Sequence, residues 1–250
     1  MSLEAVRVII LAKAPIAGFA KTRLIPAIGK DNAALVAQKL LIHAVTEVAS
    51  TSYACCLQVV PGPAHADWDR YRETINEKFE NQIVCVEKTG NADQDNTPVD
   101  HSNPLVWSEQ CEGDLGHRLS GAVASVTSDK NSKYDDHPVI VMGTDCPAIT
   151  ASIITEAGQL LKDYDAVLLP VEDGGYGLIG MRTINDEVFR EIRWSTQYTA
   201  DDTRKQMQKL GWRWYEFDVV SDIDEATDLQ HLPNGWLDDL GIGISDTVQQ

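Results

Sequence analysis

Basic residues are scarce in this chain. Lys and Arg together number 21 against 38 Asp and Glu, a formal charge of −17 over 250 residues. Such an acidic surface repels a phosphate backbone over most of its extent, so nucleic acid is not an expected partner. Solubility is the simplest use of the charge, and the few cations that matter should act locally. Cysteines are few and unpatterned. Cys55, Cys56, Cys85, Cys111 and Cys146 form no C-x-x-C pair and no His/Cys zinc spacing. An odd set of this kind fits a reducing compartment better than a disulfide framework, and the adjacent Cys55 and Cys56 read as small core residues. The six histidines are scattered without an acid–base or metal pattern. No apolar stretch reaches the roughly 18 residues of a membrane-spanning helix, and no basic segment followed by a long apolar region opens the chain. Cytoplasm is therefore the expected compartment. With no internal repeat and no separating linker, residues 1–250 are expected to form one domain.

What is present is concentrated first in Val6 to Leu24. The apolar run Val8 to Ala12 is short and rich in β-branched side chains, so it reads as a buried strand. It stops at Lys13 and gives way to a loop carrying Pro15, Gly18, Lys21 and Arg23. Glycine lets backbone N–H groups approach a ligand closely, and Lys and Arg neutralise anionic oxygens, so the pattern suits a phosphate chain. Solvated loop cations beside ordinary turn residues are the alternative. A nucleotide-hydrolase P-loop is excluded by spacing: Gly18 is followed by Phe19-Ala20 before Lys21, and the position where that loop needs its first glycine is Lys13.

Downstream, Asp31 can cap a helix to about Val48, striped by Ala33, Ala37, Leu40, Leu41, Ala44, Val45 and Val48. Tyr53 to Val60 is a second strand. The first 60 residues thus read strand–loop–helix–strand, with the cationic loop at the carboxyl end of the first strand, where ligands of open parallel sheets collect. A charged helix over 64–80 and a short strand at Gln82 to Val86 follow. Residues 87–109 have almost no apolar content or periodicity and read as an exposed surface insertion, an active-site lid being the alternative. Gln110 to Leu119 leads into a helix through Val126, and Ser128 to His137 is a polar loop. The pattern then gives strands at Val139 to Gly143, Ala166 to Pro170, Tyr176 to Met181 and Trp212 to Val219. Between and after them it gives helices beginning at Thr150, near Val188 to Ile192, and from Thr199 to Leu210. From residue 230 the tail reads as irregular. Strands alternating with helices along the whole length imply one three-layer α/β/α domain.

Three acidic loops follow strands, at Asp145, at Asp173, and at Asp222 with Asp224. A hard divalent ion such as Mg²⁺ or Mn²⁺ takes one or two carboxylates together with diphosphate oxygens and water, so these loops could share an ion with the cationic loop. For Asp222 or Asp224 taken singly, a cap or solvated turn is the favoured reading. Asp145 is sharper, because it directly follows a fully apolar strand where a lone carboxylate has little structural reason. Asp173-Gly174-Gly175 reads either as a plain turn or as close backbone approach to a ligand. Trp194 suits the core or a substrate platform, with Ser195 and Thr196 able to present hydroxyls.

Six stretches taken together resemble the DUF2064 family. They are Lys13-Ala14-Pro15-x-x-Gly18-x-x-Lys21-Thr22-Arg23-Leu24, Gln110-x-x-Gly113-Asp114-Leu115-Gly116-x-Arg118, Gly143-Thr144-Asp145-Cys146-Pro147, Asp173-Gly174-Gly175-Tyr176-x-Leu178-Ile179-Gly180, Trp194-Ser195-Thr196 and Asp222-Ile223-Asp224. The resemblance covers about residues 6 to 229. These bacterial proteins are described as glycosyltransferase-A-like, within the nucleotide-diphospho-sugar transferase superfamily. The resemblance implies a mixed, mostly parallel sheet with helices on both sides and a nucleotide bound over its first half. It puts Ala12, Lys13, Gly18, Lys21 and Arg23 against the phosphates. It adds Gln110, Arg118, Thr144, Asp173, Gly174, Gly175, Tyr176, Trp194, Ser195 and Thr196 as nucleotide or substrate contacts. Asp145 matches the metal-binding aspartate, and Asp224 is the better candidate for the second ligand of Mg²⁺ or Mn²⁺.

Three functions follow from that resemblance. The first is a metal-dependent transferase taking a glycosyl group from a nucleotide sugar, with Asp145, Lys21 and Arg23 stabilising the departing diphosphate. A glycosyltransferase usually shows D-x-D at its first metal site, whereas this chain reads Thr144-Asp145-Cys146-Pro147. The second is a nucleotidyltransferase acting on an NTP and a phosphorylated small molecule, with Lys21 and Arg23 on the β- and γ-phosphates. The Lys-Thr-Arg-Leu turn and the T-D-x-P motif suit it. The third is a nucleotide-binding module without turnover. The residues do not specify the small-molecule acceptor or the oligomeric state.

Overall fold

The computed structural model describes residues 6–80, 105–127 and 137–242. The first strand, β1 (Arg7–Lys13), is the centre of the architecture. Its side chains alternate between two faces, as the period of a strand requires. Val8, Ile10 and Ala12 enter one apolar cluster, while Ile9 and Leu11 enter another. Both faces are covered, which is why the strand reads as an unbroken apolar run.

Beside β1 lie β2 (Ala54–Val60) and β4 (Val139–Met142), both parallel to it. Beyond β2 is β3 (Leu105–Glu109), and beyond β4 are β6 (Tyr176–Met181), β5 (Ala166–Pro170) and β7 (Trp214–Glu216). Among the described residues the sheet has seven strands in the order β3-β2-β1-β4-β6-β5-β7, and of these only β6 is antiparallel to its neighbours. The sheet is therefore mixed and mostly parallel.

One face carries α1 (Ile25–Ala49), α2 (Asp69–Glu80) and α4 (Ala151–Leu160), packed through Leu41, Val45, Ile75 and Ile154. The other carries α3 (Leu115–Thr127) and α5 (Thr199–Lys209), packed through Leu119, Val123 and Met207. The expected three layers are present. Cys55 and Cys56 are both buried, one in each cluster, and Cys146 is buried too, whereas Cys111 is exposed.

Several element boundaries differ from the sequence reading. Helix α1 begins before Asp31, which does not cap it; a 3-10 turn at Thr22–Leu24 runs directly into Ile25, and Gly29 at φ 79° kinks the helix. The charged helix expected over 64–80 divides into a 3-10 turn at Ala66–Trp68 and α2. The end of the polar stretch 87–109 is ordered as β3, because Leu105-Val106-Trp107 pairs in parallel with β2 as an edge strand. The strand expected at Gln82 to Val86, residues 87–104 and most of the polar loop at Ser128 to His137 lie outside the described residues. Strand β7 is shorter than the alternating run Trp212 to Val219. The chain continues beside β5 through isolated contacts, Phe217 N to Leu168 O at 2.9 Å, Val220 N to Pro170 O at 3.1 Å and Glu172 N to Val220 O at 3.2 Å, the last two around a single parallel bridge between Val171 and Val220.

The tail is less irregular than its composition suggests. A 3-10 turn at Ala226–His231 and α6 (Trp236–Asp239) fold over the outer face of α1. Leu229, Leu232 and Ile242 join Leu24, Val36 and Leu40 there in a third apolar cluster. Helix α1 thus buries two faces, one against the sheet and one under the C-terminal segment. Residues 243–250 are outside the described set.

Candidate functional site

The carboxyl ends of β1, β3 and β4 open on one edge of the sheet, and a cavity of about 480 Å³ lies there. From β1 and its loop it is lined by Leu11, Ala12, Lys13, Phe19, Lys21 and Arg23. Gln110, Leu115, Arg118 and Leu119 line it from the β3–α3 segment, and Gly143, Thr144 and Asp145 from the end of β4. Tyr176 and Gly177 of β6, and Asp224, complete that wall. Four cations from two elements therefore meet on one cavity in a chain with a net charge of −17.

Lys21 organises the cationic loop. Its backbone is left-handed, at φ 49° and ψ 45°, a conformation uncommon for a residue with a side chain. That turn sends the side chain inward, where only 7% of it is exposed. The ammonium donates to Ile223 O, lies 2.6 Å from Asp145 Oδ1 and stands 3.9 Å from Asp224 Oδ1. Arg23 is more open, with its Nη1 2.5 Å from Asp224 Oδ2. Gly18 sits at φ 83° with open space around it and does not line the cavity, so its part is to turn the loop.

The two acidic ligand candidates come from distant parts of the chain. Asp145 lies in the loop just past β4, and Ile223 N donates to Asp145 O at 2.9 Å, which fixes the 222–224 segment alongside. Thr144 Oγ1 lies 3.3 Å from Asp145 Oδ1. Of the late pair, Asp224 faces the cavity and the loop cations. Asp222 is half-buried; desolvation, with the charges of Asp173 and Asp145 nearby, pushes its carboxyl up to about 6. Burial likewise raises the Cys146 thiol well above its ordinary value, with Asp145 adding to the effect, so it is no thiolate nucleophile.

Asp145 and Asp224 converge on a single cation, the Lys21 ammonium, and that convergence tests their fit to a divalent ion. Both present hard carboxylate oxygens that remain partly exposed, 49% and 39% of each side chain. Two carboxylates with room for phosphate oxygens and water match what Mg²⁺ uses in such sites. Among the described residues no group of three or more His, Cys, Asp or Glu is arranged for a metal. The donors fit an ion shared with a bound phosphate, not a closed protein cage.

The remaining expected site residues gather in a neighbouring cluster. Asp173 Oδ1 accepts from Gly175 N at 2.7 Å, closing a tight turn between β5 and β6. Gly174 is at φ 87°, and a Cβ there would meet Gln197 O at 2.2 Å, so this turn packs its backbone directly on the 195–199 segment. That segment is pinned by Arg193, whose Nε and Nη2 hold Asp202 at 2.6 and 2.8 Å. The Thr196 hydroxyl is spent on Arg193 O at 2.7 Å, and Ser195 takes a left-handed φ of 57°. Trp194 stands between the two clusters: its ring lies 6.4 Å from that of Tyr176, and its indole nitrogen lies against Gly116 at the start of α3. The Tyr176 hydroxyl is buried and makes no hydrogen bond of standard geometry, although the Thr203 hydroxyl is near enough to oppose the upward push of burial on the phenol.

Of the expected residues, Ala12, Lys13, Lys21, Arg23, Gln110, Arg118, Thr144, Asp145, Tyr176 and Asp224 share the cavity. Gly18, Asp173, Gly174, Gly175, Trp194, Ser195 and Thr196 lie outside its lining. The sequence reading did not single out Phe19, Leu115 and Leu119 as contacts, or Ile223 O as the acceptor for Lys21. Phe19 and Leu115 are exposed large apolar side chains, 41% and 38%, and that exposure is invisible in a linear pattern.

A family model described as an uncharacterized protein conserved in bacteria, DUF2064, matches residues 71–196. No curated protein matches the chain. Among solved structures, a protein of Desulfovibrio desulfuricans G20 provisionally described as a nucleotide-diphospho-sugar transferase is similar over 95% of this chain and 91% of its own, at 23% identity and a TM-score of 0.70. The 4-diphosphocytidyl-2C-methyl-D-erythritol synthase of Anaerococcus prevotii DSM 20548 is similar over 92% of this chain and 94% of its own, at 9% identity and a TM-score of 0.52. These likenesses establish the nucleotide-diphospho-sugar transferase fold.

Proposed function

The chain belongs to the DUF2064 family, and on that premise we propose that it is a metal-dependent transferase that binds a nucleotide by its phosphates in the cavity at the end of β1. The observation that carries this is the convergence of Lys13, Lys21, Arg23 and Arg118 on one cavity beside Asp145 and Asp224. A phosphate chain satisfies such a set, and the fold supplies it at the sheet edge where nucleotides are held.

Nucleotidyl transfer is the form of the reaction that fits best. Four cations suit the charge of a triphosphate better than that of a diphosphate sugar. One carboxylate at the end of β4, without a D-x-D pair, agrees with it. In this reaction an oxygen of the acceptor's phosphate bonds to the α-phosphorus of the NTP, and the bond from that phosphorus to the α,β-bridging oxygen breaks. The electron pair leaves with pyrophosphate. Lys21 and Arg23 would exchange their carboxylate partners for β- and γ-phosphate oxygens and stabilise the charge that builds on the leaving group. A Mg²⁺ or Mn²⁺ ion held by Asp145 and Asp224 would supply Lewis-acid polarisation of the phosphate oxygens.

Glycosyl transfer from a nucleotide sugar is the second reading. Gly143 favours it, since it lines the cavity next to Asp145 and a Cβ there would meet nothing nearer than Asp145 N at 4.0 Å, which leaves space for a sugar ring. Phosphorus NMR of the purified protein with Mg²⁺ or Mn²⁺, the common NTPs, nucleotide sugars and phosphorylated metabolites separates the two. Pyrophosphate released from an NTP is the expected result. A nucleoside diphosphate released from a nucleotide sugar replaces it with the second reading, and nucleotide signals that broaden without any turnover indicate a binding module.

A further inference from the structure

The connection that carries Asp145 is held from behind by a helix from a distant part of the chain. Strand β4 ends at Met142 and α4 begins at Ala151, so residues 143–150 join them. Within that stretch Ile149 N donates to Cys146 O at 3.0 Å and closes a turn. The carbonyl of Pro147, inside the turn, meets His43 of α1, whose Nε2 lies 2.9 Å away. A carbonyl only accepts, so Nε2 carries the proton and donates it. Pro147 is buried, and among the described residues no other side chain bonds its oxygen.

Glu47 takes the far end of the same connection. Its Oε2 accepts from Ala151 N at 2.7 Å. Helix α4 opens with N–H groups that need partners, yet Thr150 at its N-cap makes no side-chain hydrogen bond to them, and Glu47 supplies one from another helix. His43 and Glu47 stand at i and i+4, the spacing that puts two side chains on one helix face. His43 Nδ1 lies 3.7 Å from Glu47 Oε1, and the two side chains are only 20% and 23% exposed. On the outer side Trp236 of α6 packs edge-on against the imidazole, with ring centroids 5.3 Å apart. Lys39 lies over that indole and pairs with Asp239 at 2.5 Å, which keeps α6 in place.

Helix α1 also serves the opposite half of the site. The turn Thr22–Leu24 leads from the cationic loop straight into it, and Ala37, about two turns before His43, lines the cavity. One element thus follows directly on Lys21 and Arg23 and grips the Asp145 connection further along. Resting on the role proposed for Asp145 above, we infer that His43 and Glu47 are positioning residues: they clamp the 145–151 connection to α1 and so set Asp145 relative to Lys21 and Arg23. Neither side chain lines the cavity, so both act through the backbone of Pro147 and Ala151 and not on a substrate.

Amide hydrogen exchange of the full chain, followed by NMR, tests the clamp with no ligand present. The reporter is Ile223 N–H, bonded to Asp145 O, and the reference is Trp212 N–H, bonded to Met207 O on the opposite side of the sheet. His43→Leu removes the donor to Pro147 O and is expected to speed exchange at Ile223 about 10-fold relative to Trp212, the effect of one lost hydrogen bond to a buried carbonyl. A side chain that only added overall stability would move both amides together. His43→Gln returns an amide N–H close to the Nε2 position and is expected to restore the wild-type ratio. Should His43→Leu not fold, His43→Asn replaces it, because its amide is too short to reach Pro147 O. Turnover in the phosphorus assay should follow the exchange ratio, falling about 10-fold in the first variant and returning in His43→Gln. An unchanged ratio, no restoration by glutamine, or full turnover despite a raised ratio overturns the inference. A raised ratio that glutamine restores, with no turnover even in the wild type, supports the clamp and overturns the transfer reading alone.

Discussion

Lys21 Nζ lies 2.6 Å from Asp145 Oδ1, so the strongest phosphate-binding candidate and the strongest metal-binding candidate form an ion pair with one another. The ammonium also faces Asp224 and donates to Ile223 O. Under the proposed reaction a metal–nucleotide complex would draw it from carboxylate to phosphate.

This placement predicts two opposite effects of Lys21→Met. Removing the ammonium frees Asp145 and leaves Asp224 paired with Arg23 alone, so Mn²⁺ alone should bind more tightly than to the wild type, read by paramagnetic relaxation of water protons. Nucleotide affinity should fall by about 10- to 100-fold, the scale of a lost charge-assisted contact. Unchanged Mn²⁺ binding would mean that Asp145 and Asp224 do not form the ion site.

Asp145→Asn should leave the fold intact, since the side chain is half-exposed and its structural hydrogen bond to the 222–224 segment uses the backbone oxygen. Turnover in the phosphorus assay should drop by about 10²–10³, comparable with losing one group that stabilises transition-state charge. A variant that folds with wild-type stability and keeps wild-type turnover would remove Asp145 from the mechanism.

Gly174→Ala probes the neighbouring cluster. The new Cβ would sit 2.2 Å from Gln197 O at a φ of 87°, and both the clash and the backbone strain oppose it. We expect a loss of about 1–3 kcal/mol in a urea titration, from the ordinary cost of a left-handed backbone in a residue other than glycine. A neutral result would show that the 195–199 segment moves freely away from the turn.

Asp202 gives a prediction about pH. Hydrogen bonds from Arg193 and Lys205 hold its carboxyl well below the usual carboxylate range. Because the folded value is depressed, the stabilisation is present above the unfolded value of about 3.9 and is lost as pH falls through the folded value. Asp202→Asn should therefore lower stability near neutrality and flatten the acid limb of the stability curve, measured by urea midpoints at successive pH values. An acid limb as steep as in the wild type would assign that limb to other carboxylates.

The sequence by itself determined the βαβ start, most of the strands and the cationic loop. Those features rest on local physics: an unbroken apolar run such as Val8 to Ala12 is only stable when buried on both faces, and a Gly-containing turn with Lys and Arg advertises its chemistry in one dimension. It also determined that Asp145 follows an apolar strand. Its reading failed where neighbours far along the chain decide. Residues 105–109 form a strand because β2 offers an open edge, and the tail from 230 holds the helical turn Trp236–Asp239 because α1 has a second apolar face to cover. Only the tertiary structure decided which expected residues share a cavity. Lys21 and Asp224 meet because Ile223 N binds Asp145 O, a contact with no sequence signal. The start of α4 was settled in the same way, by Glu47 on a distant helix and not by the Thr150 hydroxyl beside it.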